Sequence, residues 1–295
     1  MTPPVERWRG SLVLAFFTIF YLAFFANSLA SGNYIAPSDS LDFGLSAFLS
    51  DQTIWTDGMY SGYPIAADPQ AMMWYPVFRL FRAAGLGWNL FMIAAYVIAS
   101  FGAFLLVWRL TPCRVAALFG GLVYGFSGML LAHISHYNQV HVAAWVPFLL
   151  FGMVELWSGR VALGGLIGSA ALALMVLAGH PQLMVYAVYL TAAYAAYRLI
   201  RTQAETRQRG HLIAASAVAV AGGFGLAAIL LVPAQELAAL GRRAETGWEL
   251  FVSRSLPPWQ VLTLVLPLSF GGFRTTADTQ VAYFGESSPG EMTGY

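Results

Sequence analysis

The sequence predicts an all-α, polytopic bundle of transmembrane helices with a polar loop at one end. Three observations predict it. Hydrophobic residues fill 58% of the 295 positions and charged residues only 10%, against roughly a quarter charged in soluble domains. The apolar residues fall in runs close to the about 20 residues a helix needs to cross hydrocarbon. The bases, all arginine with no lysine, gather at alternate ends of those runs. Length alone would suggest soluble domains, but composition overrules it. No soluble domain or long linker interrupts the pattern, so 1–295 reads as a single transmembrane domain.

Taken in order, the apolar runs are 11–30, 89–108, 115–132, 142–157, 161–179, 182–200 and 212–232. An eighth, 261–270, is about half the needed length and contains Pro267, so it reads as an interfacial or re-entrant half-span. The first run follows Arg7 and Arg9 and ends in small residues near Ala26–Ser31. It is longer than the roughly 7–15 residues of a signal-peptide core and rich in Phe, which favours an uncleaved signal-anchor helix. Trp88 and Trp108 bracket the second run at about one membrane thickness.

Arginine placement orients the bundle. With the N-terminus inside, the inner ends carry Arg7, Arg9, Arg109, Arg114, Arg160, Arg198, Arg201, Arg207 and Arg209, and the outer side carries most acids. That is the positive-inside pattern, expected of a cytoplasmic (inner) membrane protein with a cytoplasmic N-terminus. The bases of 201–211 are expected to lie against anionic headgroups. Gly121/Gly125 and Gly164/Gly168 form GxxxG pairs, and Gly222–Gly225 adds a third cluster. All three read as helix-packing positions. Cys113 is the single cysteine, so no intrachain disulfide and no thiolate metal site forms.

Two outer connections stand out, 31–88 and 234–260, followed by a polar, Gly-rich tail, 271–295, with no evident stop, as if the chain were a truncated N-terminal portion. In the first, Leu41, Leu45, Phe48 and Leu49 share one helical face. The stretch 71–81 carries Met72, Met73, Trp74, Phe78 and Phe81 interspersed with arginine. Both suit short helices on the membrane surface, and so long an ordered loop is often functional.

That loop also gathers Asp39, Asp42, Asp51, Asp57 and Asp68 in a chain poor in acids. Asp39, about nine residues beyond the first run, suits a general base on a hydroxyl or a metal ligand. It equally suits an N-cap for the run that follows. Asp68 precedes Pro69, where a turn-forming role competes with a catalytic one. Asp51 and Asp57 read as solvated loop residues. In the second connection Arg242, Arg243 and Arg254 suit phosphate oxygens, with snorkelling or pairing to Glu245 and Glu249 as the alternative. His133, His136 and His141 lie in one turn, loosely spaced for a metal triad and more suited to polar interfacial roles. His180-Pro181-Gln182 breaks the chain between two runs, where a capping histidine competes with a substrate contact. Walker A, GxGxxG and HExxH motifs are absent, which argues against a nucleotide-driven pump or a metalloprotease.

Several segments occur together in a fixed order. They are the Asp39 loop, Gly62-Tyr63-Pro64…Asp68-Pro69-Gln70…Trp74-Tyr75-Pro76, Ala178-Gly179-His180-Pro181-Gln182, and Tyr283-Phe284-Gly285…Glu291-Met292-Thr293-Gly294-Tyr295. As a set they resemble the YfhO-like bacterial multi-spanning membrane proteins, which in turn resemble the C-type (GT-C) membrane glycosyltransferases. The resemblance implies a polyprenyl-phosphate-linked sugar as donor, an envelope glycan or lipid as acceptor, and a first-loop aspartate as base. Asp39 matches that aspartate. Ser38 stands where the family usually has Gly, and Asp42-Phe43 follows where it has Gln, so Asp42 is the alternative. Family members run longer, with further spans beyond this chain's last residue.

The expected function is therefore inverting sugar transfer at the outer membrane face. Asp39 (or Asp42) and Asp68 are the catalytic candidates, and His180, Gln182, Arg242, Arg243 and Arg254 the substrate-binding ones. Membrane lipid is an expected partner and nucleic acid is not. A divalent cation is the one cofactor left open, and no metal ligand is assigned. The competing readings are a lipid or glycan transporter or flippase, and a non-catalytic envelope assembly factor. Carriers usually place ionisable groups at mid-membrane, whereas here polar groups collect at the outer surface.

Overall fold

A computed structural model describes residues 10–50, 53–58, 61–201, 206–241, 248, 252, 255–266, 269–271 and 284. Among them the fold is all-helical, with one isolated antiparallel bridge between Thr56 and Tyr63. The helices are α1 (Gly10–Phe24), α2 (Ala26–Ala30), α3 (Ser46–Leu49), α4 (Pro76–Ala83), α5 (Trp88–Leu110), α6 (Arg114–Gly125), α7 (Gly128–Ala132), α8 (Tyr137–Trp157), α9 (Val161–Leu177), α10 (Pro181–Arg201), α11 (Thr206–Leu226) and α12 (Ala228–Leu240). A π-helical turn, Ser40–Leu45, leads directly into α3.

Five helical segments among the described residues are long and apolar enough to cross a membrane: α5, α6 with α7 as Arg114–Ala132, α8, α10 and α11. Two further expected spans are shorter. The first run folds as α1 of 15 residues and α2 of 5, interrupted at Phe25, and the fifth as α9 of 17 residues. The last expected span, 212–232, holds over 212–226 but has different ends. α11 begins earlier, at Thr206, and closes at Leu226; after Ala227 a separate helix, α12, runs on to Leu240. Uninterrupted alanine and glycine hydropathy hides that break. The expected half-span is a 3-10 helix at Pro258–Leu264, while Pro267 and nearly all of the tail lie outside the described residues.

α8 is the central helix, packed against α9, α5 and α10. The glycine pairs do what their spacing implies. A Cβ on Gly152 of α8 would fall 2.6 Å from the backbone N of Gly168, and one on Gly164 would fall 2.3 Å from that of Leu156. On α6, Gly121 and Gly125 meet Phe17, Tyr21 and the Ser100 backbone or hydroxyl just as closely. Close backbone approach of this kind is how helices associate in lipid. Tyr21 and Ser100 satisfy each other at 2.7 Å inside that contact. Large apolar side chains such as Leu12, Ile19, Phe119, Leu166, Tyr189 and Val218 remain on the outside of the bundle, where a lipid-facing surface needs them.

The first loop folds onto one end of the bundle instead of spreading across a surface. Phe48, Met72, Tyr75 and Phe78 are buried with Trp88, Phe91 and Met92 of α5. Each such side chain contributes roughly 1.5–3 kcal/mol relative to exposure to water, which is what orders the loop. Only part of the expected amphipathic face is right. Leu45 and Phe48 are buried, but Leu41 and Leu49 are exposed, because π winding shifts the phase and brings Ser40 and Gly44 inward. Likewise 71–81 is not one surface helix. A 3-10 turn, Pro69–Ala71, and Met72 at φ +51° precede the shorter α4. Trp145 donates to the Tyr75 hydroxyl, which is in turn hydrogen-bonded with His141 Nδ1 at 3.2 Å, and His141 stacks on Phe91 at 4.0 Å. His141 is thus a core residue and separate from the other histidines of its turn.

The opposite end is fastened by charge. Glu155, fully buried on α8, pairs with Arg109 at the end of α5 at 2.7 Å and with Arg160 in the α8–α9 turn. Arg198 of α10 donates to the Trp157 carbonyl nearby. The arginines are partly exposed and Glu155 is not, so the two sides of this pair are unequal. Replacing Arg109 and Arg160 together by Gln strands a buried carboxylate and is expected to cost about 3–5 kcal/mol. Glu155→Gln should cost less, since both guanidinium groups can turn outward. Thermal unfolding midpoints of the two variants test the order, and the reverse order overturns it.

Candidate active site

Three connections meet at the end opposite Glu155. Ser40, fully buried, shares its hydroxyl proton between the carbonyls of Ile134 and Ser135, at 3.0 and 2.8 Å. This fixes the start of the first-loop helix against the α7–α8 turn. Gly44 makes the seating possible, since a Cβ there would fall 2.6 Å from Trp88 and 2.7 Å from Tyr137. Tyr137 at the start of α8 donates to the Gln70 carbonyl, and the Asn138 amide lies 3.4 Å from the Gly179 carbonyl. Gly179, at φ +84°, packs so tightly that a Cβ would fall 1.9 Å from the Pro69 carbonyl oxygen. The Asp68-Pro69-Gln70 and Gly179-His180-Pro181 segments, distant in sequence, are therefore in contact.

Between them lies a recess of about 80 Å³, lined by Asp39, Phe43, Gln70, His136, Asn138 and His180 among others. Asp39 makes no capping hydrogen bond to the helix it precedes, so its capping role is overturned. Its carboxylate, about half exposed, lies 3.6 Å from His136 Nε2. His136 Nδ1 is engaged by the Ser135 hydroxyl at 3.0 Å. The arrangement is a carboxylate–imidazole pair facing a small polar hollow, chemically able to accept a proton from a bound hydroxyl.

His180 accepts a hydrogen bond from the Leu183 amide and so caps α10 while also lining the recess. Burial lowers its pKa below the ordinary 6.5, and the nearby His136 and His133 push it the same way. His133 is lowered for the same leading reason, burial, although a bond to the Met129 carbonyl opposes it and His136 adds to it. These two imidazoles are thereby kept neutral at pH 7.

The other expected site residues separate. Asp68 has both oxygens occupied, by the Gln70 amide at 2.8 Å and the Tyr63 hydroxyl at 3.0 Å. It caps the Pro69–Ala71 turn and does not line the recess, so the turn-forming reading describes it. Asp42 is exposed in the first turn of its helix and is likewise not a lining residue. Asp57 accepts from the Trp55 indole in an exposed loop. Gln182 donates to Tyr186 on the exposed side of α10. Arg242, Arg243, Arg254 and Asp51 lie outside the described residues. Among the described residues no group of three His, Cys, Asp or Glu side chains is placed to hold a metal ion. Asp39 with two flanking imidazoles thus falls short of a divalent-cation cage. Gln70 and the Asn138-Gln139 pair escaped the sequence reading. Their polarity beside an apolar run was the available signal.

No protein-family model, curated protein or solved structure matches the chain.

Two outcomes follow from this geometry. Gly179→Ala adds both a left-handed strain of about 1–3 kcal/mol and a clash with Pro69. It should lower the thermal midpoint, while Gly165→Ala, which meets nothing within 4 Å, should not. Equal midpoints would remove the Gly179–Pro69 contact from the account. For pH, His180 and His133 bind protons less readily folded than unfolded. Their contribution is therefore complete above about 6.5 and is lost as pH falls below it. The midpoint should drop between pH 6.5 and 5, and less so in His180→Asn, which keeps a capping acceptor but does not titrate. An identical pH profile in the two proteins would exclude His180 as a source.

Proposed function

We propose that the chain performs sugar transfer at a membrane surface, with Asp39 as general base and a polyprenyl-phosphate-linked sugar as donor. The single observation that carries this reading is the Asp39 carboxylate. It is uncapped, held by the Ser40 anchor beside His136 and His180, and opens on a polar recess. In the reaction an acceptor hydroxyl gives its proton to Asp39 as its oxygen bonds to the anomeric carbon. The bond from that carbon to the phosphate oxygen breaks, and polyprenyl phosphate leaves with its electron pair. His136, 3.6 Å away, orients the carboxylate and receives the proton from it.

The backbone supports the proposed YfhO-like kinship. Ser38 has φ +49°, the conformation that favours glycine, at the position where that family usually carries Gly. The recess is far smaller than the roughly 300–1,000 Å³ of ordinary ligand pockets. It admits the reacting hydroxyl, and the sugar and lipid lie across its mouth. On the same end of the bundle Arg79, with Trp74, Pro76 and Leu80, lines a wide open groove. A guanidinium there suits the leaving phosphate, alongside the roles proposed for Arg242, Arg243 and Arg254. Orientation in the cytoplasmic membrane with this end outward completes the proposal, following the arginine pattern.

Asp39→Asn should reduce transfer of a labelled sugar from polyprenyl phosphate by about 10²–10⁴-fold, with expression and thermal midpoint unchanged. Full transfer by that variant ends the assignment. Lipid or glycan movement across proteoliposomes without a new glycan would favour the transporter reading instead.

A further inference from the structure

A second, much larger cavity opens between helices at the other end of the bundle. α10 and α11 each pack on α8 and α9 but scarcely touch one another. The gap between them is a groove of about 520 Å³, floored by Leu149, Met153 and Trp157. Its walls mix larger apolar residues with small ones, among them Ala192 and Ala196 on α10 and Ala217 and Ala221 on α11. Small side chains normally let neighbouring helices close together in lipid, and here they border open space. The two hydroxyls in the lining are already satisfied. Thr191 donates to the Ala187 carbonyl at 2.7 Å, and Ser216 donates to that of Leu212 at 2.8 Å while accepting from the Trp157 indole. Nothing in the groove calls for a polar ligand, so its occupant is hydrocarbon.

Its extent and its mouth narrow the choice. On α10 the lining runs from Val188 to Leu199, about 16 Å at helical rise, or half the roughly 30 Å hydrocarbon core. It occupies the half nearest the arginines, as a chain from one leaflet would. At that mouth Arg198 donates to Tyr194 and to the carbonyl of the lining residue Trp157, both neutral acceptors. Among the described residues the ion pairs engage Arg109, Arg160 and His136. Arg198 keeps further donors for an anion, and guanidinium suits phosphate. We propose that the α10–α11 groove binds one acyl chain of an anionic phospholipid, with the lipid phosphate held by Arg198. The site is separate from the Asp39 recess and stands whether or not sugar transfer does.

Native mass spectrometry of the full chain, titrated with phosphatidylglycerol or phosphatidylcholine of identical acyl chains, tests this. One phosphatidylglycerol should be retained per chain, at least tenfold more tightly than phosphatidylcholine. Arg198→Gln should reduce that preference severalfold, and Ala217→Phe should abolish retention of both lipids. Should Ala217→Phe not yield a monodisperse protein, Ala217→Leu decides, with weakened retention expected. Equal retention of the two lipids by the unaltered chain overturns the proposal, as does unchanged retention in the filled variant. A dimer that Ala217→Phe or Ala217→Leu converts to monomer, with lipid retention unaltered, assigns the groove to a second copy and equally overturns it.

Discussion

The buried Ser40 hydroxyl is the contact on which the geometry of the polar end depends. The carbonyls of Ile134 and Ser135 belong to a turn between two helices and lack a ladder of their own there. Ser40 supplies them a proton at 3.0 and 2.8 Å from a position with no solvent exposure. An unsatisfied buried polar group costs about 1–3 kcal/mol, so the serine and the turn hold each other. Asp39 precedes Ser40 and His136 follows Ser135 in the chain. The 3.6 Å pairing of carboxylate and imidazole is therefore a consequence of a neutral hydrogen bond between their neighbours. A weak, half-exposed ion pair could not fix that geometry alone. The fully buried serine can.

Much of this was legible in the chain, and the exceptions have physical causes. Apolar run length located α5, α6 with α7, α8 and α10, because hydrocarbon thickness leaves few choices. It failed at Ala227, where a helix break carries no hydropathy signal. Heptad-like spacing placed Leu45 and Phe48 correctly and Leu41 and Leu49 wrongly, because a π turn has a longer period than the template applied. The aspartates were visible as residues but not as roles. Asp68-Pro69 spelled a turn, and the turn uses both of its oxygens. Asp39 offered the same capping logic, and the structure leaves that bond unmade. The meeting of Pro69 with Gly179 was unreadable, since no local pattern links residues so far apart.

Charge is divided between the two ends in different chemical forms. At one end Glu155 is buried and held by two arginines, an arrangement that fastens α5, α8 and the α8–α9 turn. At the other end Asp39 is half exposed and its nearest titratable neighbour is a histidine. A carrier needs the opposite distribution, with titratable groups where the ion crosses. The one deeply buried imidazole, His141, is committed to Tyr75 and the Phe91 ring.

That division bears on why Asp39 is left without a cap. A carboxylate that accepts backbone N–H bonds is committed to the turn it caps. Asp68 shows this alternative only a short distance away in the chain, bonded to the Gln70 amide and the Tyr63 hydroxyl. Asp39 forgoes the about 0.5–2 kcal/mol of a good cap; its Oδ1 accepts from the Ser38 hydroxyl at 3.4 Å and its Oδ2 lies 3.6 Å from His136. The left-handed Ser38 immediately before it, at φ +49°, adds a local strain of the same order. Both choices fall at adjacent residues, next to the buried Ser40 hydroxyl, where the Asp39 carboxylate borders His136 and the recess.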